Sequence, residues 1–188
     1  MKSWLVGAIV ASALAGAASA QVPPELLGGG ASGAPMYGEA FYKGAEGYWV
    51  LVRERENTGL HCSVNFITPQ NTFSLRGPGD ADMARKNQGG IWFMSKAISS
   101  ATKPEIVPIL LSSGNDAARP LQAAHVGVPG QGNGALLLSI DVQKSIQEKP
   151  DSNEIAIQFE GKEVFRSKLV QLQAAYHALA QCMSAQKK

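Results

Sequence analysis

Two cysteines and three histidines are the residues of this 188-residue chain whose types could carry distinctive chemistry. Cys62 lies in "GLHCSVNF" and Cys182, 120 positions later, in "LQAAYHALAQCM". A dithiol redox centre uses C-x-x-C spacing, and a structural zinc site gathers four ligands in close clusters. Neither pattern occurs, so the two thiols are read either as one long-range disulfide or as two separate buried cysteines. An even count in an exported chain favours the disulfide Cys62–Cys182.

His61, His125 and His177 share no metal-ligand spacing, and no H-E-x-x-H occurs, so no metal is expected. His61 and His177 fall on faces that read as outward. His125, in "LQAAHVGV", stands beside the glycine-rich "GVPGQGNGA" (127–135), the one pocket-like setting among the three. Its parity opposes Val126 and Val128, which places it outward. The glycine-rich stretch superficially resembles phosphate-cradling loops. Those loops need a helix N-terminus after the glycines, with lysine and Ser/Thr placed for phosphate and metal. Here the strand-like "LLLSID" follows, so the stretch reads as a hairpin loop. His125, Gly130, Gln131 and Asn133 are its candidate binding residues, because loops on a rigid sheet often carry recognition.

No G-x-S-x-G elbow is present, and Glu54, Glu56, Glu160 and Glu163 stand beside basic neighbours or turns. No catalytic residue is assigned and no cofactor is expected, which points away from an enzyme. Two other readings stay open. A small exported hydrolase near His125 would need a concave pocket holding that histidine, with a carboxylate in hydrogen-bond reach. A carrier of a small apolar ligand would need an unfilled cavity of roughly a few hundred Å³ between sheet and helix.

The start of the chain, "MKSWLVGAIVASALAGAASAQ", sets the expected compartment. Lys2, an apolar run over 4–17 and Ala18-Ser19-Ala20 form a signal-peptide pattern, with cleavage after Ala20. The run is short for a membrane span, and nothing later is long and apolar enough to cross a bilayer. Without residues 1–20 the charge balance is nearly even, giving no broad basic field, so no nucleic acid is expected as a partner. The expected product is a periplasmic or secreted protein whose partner is another protein.

Three regions follow: a signal peptide (1–20), a disordered Pro/Gly-rich leader (21–37) and a single β-rich domain (38–188). "YWVLVRER", "HCSVNFI", "TFSLR", "GGIWFMSKAI", "EIVPILLSS", "LQAAHVGV" and "ALLLSIDV" read as strands. Cys62, Val64 and Phe66 share the inward parity. Pro108 suggests an edge strand because it cannot donate a ladder bond. "DVQKSIQEKP" could form a short helix capped by Asp141. "NEIAIQFEGKEVFRSKL" is the clearest hairpin, with Ile155, Ile157 and Phe159 alternating before "EGK". In "VQLQAAYHALAQCMSAQ" the period becomes helical: Leu172, Ala175, Tyr176, Leu179 and Cys182 form one stripe. The fold class is mainly β (α+β): an antiparallel β-sandwich or sheet of about seven to nine strands, with one C-terminal helix packed on it.

The export signal, then "YWVL", "GLHCSVNF", "GGIWFM" and "SNEIAIQFEGKEVFRSKLVQLQAAYHALAQC", is a layout that resembles small exported bacterial proteins of the invasion-associated locus B type. The likeness spans most of residues 48–183. It implies a secreted or periplasmic, non-enzymatic protein linked to host interaction or envelope function. Of the family's residues it carries over only Cys62 and Cys182.

Overall fold

The computed structural model describes residues 37–56, 59–79, 81–128, 130–142, 144–145 and 151–184. The expected signal peptide, and the leader up to residue 36, lie outside the described residues. Among those described, ten antiparallel strands form one continuous sheet, in the order β1-β2-β3-β4-β5-β8-β7-β6-β9-β10. They are β1 (Tyr37–Lys43), β2 (Tyr48–Glu56), β3 (Gly59–Ile67), β4 (Asn71–Arg76), β5 (Gln88–Ser99), β6 (Glu105–Ser113), β7 (Arg119–Gly127), β8 (Asn133–Asp141), β9 (Asn153–Phe159) and β10 (Lys162–Leu169). A short helix α1 (Ala81–Arg85) links β4 to β5, and α2 (Leu172–Ser184) ends the described chain.

The mainly-β reading with a C-terminal helix describes this architecture, with one strand beyond the expected seven to nine. The additional strand is β1, whose "YGEAFYK" carries few β-branched residues and sits at the sheet edge, with its register shifted between Ala40 and Tyr42. Pro108 also needs correction, because β6 lies between β7 and β9. The β9 ladder pairs only Leu110–Ser113, so Pro108 occupies a stretch whose second side has no strand partner. The missing N–H is tolerated there for the same reason that an edge tolerates it.

Alternation decides which side chains meet. Trp49, Leu51, Cys62, Val64, Phe66, Phe73, Leu75, Phe93 and Leu136 face one side and are buried. The sheet coils so that β10 lies over β4 and β5: Phe93 and Phe165 rings are 5.2 Å apart, and Asn71 Nδ2 donates to Arg166 O at 2.7 Å. Helix α2 closes the remaining opening against β2, β3 and β4, burying Leu172, Ala175, Tyr176, Leu179 and Cys182 on a stripe of i, i+3, i+4, i+7 spacing. His177, on its other side, is exposed.

Local chemistry explains several junctions. Glu160 and Gly161 have φ of 51° and 73°, the pair of left-handed residues that a two-residue hairpin turn between β9 and β10 demands. Asp141 Oδ1 accepts from the Lys144 amide at 2.9 Å, as an N-cap does, while the rest of the short helix expected there lies outside the described residues. Cys62 and Cys182 are joined by a disulfide with Cα atoms 6.0 Å apart, tying α2 to β3.

Candidate functional site

The coil of the sheet and the lean of α2 leave an opening of about 220 Å³ between them. Phe73, Phe93, Leu138 and Ile155 line its sheet side, and Leu172 and Tyr176 come from the helix. Its mouth lies at the β6–β7 turn, where Asp116 and Arg119 form an exposed ion pair at 3.1 Å. Leu121 shares the inward parity of the buried Ile109 opposite it, yet remains 37% exposed because it stands at this mouth. An apolar protein cavity of about 150 Å³ stays dry and admits benzene. The space here therefore suits an aromatic ring with a few further atoms.

The polar atoms around this cavity are few. Asn153 Nδ2 donates to Ser113 Oγ at 2.7 Å. Tyr176 is different. It is 1% exposed, and burial alone pushes its phenol up to about 12. Its phenol stands on this lining beside the polar groups of Ser113, Asp116, Arg119 and Asn153.

A second, more open cleft of about 420 Å³ lies on the outward face of the sheet, over β3, β4, β5 and β8. Gly90 forms part of its floor, opposite Arg76 on β4 and Ser139 on β8. The Trp92 indole crosses that glycine: a Cβ at Gly90 would stand 3.2 Å from its Nε1. The Arg76 guanidinium stacks on the Trp92 ring, 3.8 Å from its centroid. Glu54 and His61, cross-strand partners on β2 and β3, complete a wall of mixed charge. His61, Arg76 and Met83 each have further interaction partners.

His125 does not face outward as its parity suggested; it is 4% exposed. The β7 ladder turns Ala123 and His125 toward the core and Val126 away from it. The imidazole is held at both ends, with Nε2 2.7 Å from the Ser99 carbonyl and Nδ1 3.2 Å from Glu105 Oε1. Its ring also packs against Phe159 at 5.0 Å. Gly134 makes this arrangement fit: a Cβ there would stand 2.1 Å from Ser99 O and 3.0 Å from His125 Nε2.

The candidate loop residues are therefore not brought together with His125. Gly130 and Gln131 are exposed at the tip, while Asn133 is half-buried at the start of β8. Asn133 Oδ1 is buried with no partner among the described residues. His125 lines neither the inner cavity nor the outer cleft. Among the described residues no group of three or more His, Cys, Asp or Glu side chains could hold a metal ion. No helix among them is long and apolar enough to cross a membrane.

Sequence reasoning placed Tyr176 on the core-facing stripe but not beside a cavity. The available signal was a hydroxyl on an otherwise apolar stripe, which must meet either a partner or a cavity. Comparison of the chain with models of known protein families, with curated proteins and with solved structures finds no match.

Proposed function

We propose that this chain is an exported, non-enzymatic binding protein that holds a small apolar ligand between its sheet and its C-terminal helix. The observation that carries this reading is the 220 Å³ apolar cavity, where Tyr176 and Leu172 face Phe73 and Phe93. Export is supported by the signal-peptide pattern over residues 1–20 and by the disulfide, a bond that persists in oxidising compartments. The layout shared with invasion-associated locus B proteins supports an envelope or host-interaction setting.

A hydrolase reading draws less support. Both ring nitrogens of His125 are engaged, which leaves none to accept a proton from a nucleophile or water. Docking of a protein partner finds its support, among the described residues, on β6. Ile106 and Leu110, on the outward side of β6, are 70% and 39% exposed, whereas the tip of the glycine-rich loop is polar. Loss of a cross-linked partner on Ile106→Lys, with cavity binding intact, would favour that reading.

The test is calorimetric titration of the oxidised protein with toluene and indole, beside a Leu138→Phe variant that fills the cavity. Saturable binding by the parent and none by the filled variant, with folding retained, is the expected result. No binding of either probe would sink the cavity reading.

A further inference from the structure

Resting on the cavity reading, we propose that the ligand is a neutral amphiphile, whose apolar body enters the cavity and whose terminal hydroxyl or amide sits at the mouth between Asp116 and Arg119. The lining changes character along its depth. Phe73, Phe93, Leu172 and Tyr176 are at most 2% exposed and form its buried end. Ser113, Asp116 and Arg119 come from one stretch, the end of β6 and its turn into β7. The side chains of Asp116 and Arg119 are 61% and 71% exposed, so they form the rim. A hydrocarbon that filled this space would take water from both charged groups and return no hydrogen bond. A polar end replaces that water.

The rim also fixes the charge of that end. Arg119 Nη2 stands 3.1 Å from Asp116 Oδ2, so the mouth presents a donor and an acceptor side by side with no net charge. These two are the charged residues on the lining. An anionic head gains Arg119 but meets the Asp116 carboxylate beside it, and a cationic head meets the reverse. One hydroxyl or amide can donate to the carboxylate and accept from the guanidinium without parting them. Phe73 and Phe93 meet edge to face with centroids 5.6 Å apart, and a third ring can join them in the same offset geometry. Scaling from benzene in a cavity of about 150 Å³, the space holds on the order of nine non-hydrogen atoms. A phenyl ring with a two-carbon arm and a terminal hydroxyl has this size.

The experiment titrates the full oxidised chain, and its Asp116→Ala and Arg119→Ala variants, with 2-phenylethanol, n-propylbenzene and phenylacetate. In n-propylbenzene a methyl group replaces the hydroxyl at unchanged size. Each substitution is expected to weaken 2-phenylethanol about 3- to 10-fold and to leave n-propylbenzene within about twofold. Phenylacetate is expected to bind the parent more weakly than the alcohol and to gain affinity in Asp116→Ala. Equal changes for the alcohol and the hydrocarbon, or none for either, would overturn the polar-head assignment while the cavity reading survives. Tighter binding of phenylacetate than of the alcohol, or binding of n-propylbenzene alone, would do the same. Failure of all three probes to bind the parent overturns both proposals. The ranking of phenylacetate against the alcohol is read on the parent and needs neither variant to fold.

Discussion

Trp49 Nε1, on the second strand, donates to the carbonyl oxygen of Val170, 121 residues further along the chain, at 2.6 Å. The indole is fully buried and touches Phe41, Phe66 and Phe73, so one side chain joins the early strands to the approach of the last helix. Trp49→Phe keeps most of the ring packing but strands that carbonyl. Its expected cost is about 1–3 kcal/mol, read as a lower urea midpoint with unchanged slope. An unmoved midpoint would show that the bond contributes nothing net.

The disulfide ties the same two regions at the other end of α2. Cross-linking across 120 residues stabilises mainly by restricting the unfolded chain, and its reduction is expected to cost about 2–5 kcal/mol. Urea unfolding with and without a reductant measures this. The oxidised protein should also be two mass units lighter and yield one peptide joining Cys62 to Cys182. Two labelled thiols on the oxidised native protein would refute the bond.

Tyr176 makes stability fall at alkaline pH. Its folded phenol is raised to about 12 from an ordinary value of 10.0, so the neutral form is favoured by folding. The contribution is fully present below pH 10 and is lost as pH climbs towards 12, because the unfolded chain releases the proton first. Two units correspond to about 3 kcal/mol. Stability curves collected from pH 9 to 12 should be visibly flatter for Tyr176→Phe than for the parent. Identical slopes would show that the buried phenol does not govern this limb.

Gly134 is expected to tolerate nothing larger. Gly134→Ala drives a methyl into the Ser99 carbonyl and the edge of His125, which the paired strands cannot relieve without moving. A loss of about 1–3 kcal/mol is expected, as for other overpacked sites. At Gly132 an added Cβ meets no atom within 4 Å, but φ is +68°, so alanine there costs about 1–2 kcal/mol through the backbone alone. Thermal melts of the two variants check both losses, and an unchanged melt for either would show that its site accommodates the methyl.

Much of the fold was legible because its signals are local. The inward parity of Cys62, Val64 and Phe66, the hairpin at Glu160-Gly161 and the helical stripe ending at Cys182 each follow from a few neighbouring residues. Strand β1 was not legible, since "YGEAFYK" gains its pairing from β2 and shows little pattern of its own. The orientation of His125 was misread for a related reason. Val126 and Val128 looked like the inward pair, but small Ala123 faces the core beside the histidine, and only distant Ser99 and Phe159 make a buried imidazole acceptable. The cavity was legible only as a requirement, because empty space arises from how strands far apart in sequence fail to fill it.

The strand order has a consequence for how the chain assembles. Strands β1 to β5 form a meander whose neighbours are neighbours in sequence, and so do β6 to β8 and the β9–β10 hairpin. The seams β5–β8 and β6–β9, and the seat of α2, are the long-range joins. Chain entropy makes such joins slow relative to the local pairings. A chain emerging N-terminus first can therefore zip up its meanders early, yet Cys62 must wait for Cys182, 120 residues later, before it has a sulfur to meet. Until then its thiol is open to other thiols, which makes the final helix the timekeeper of correct oxidation.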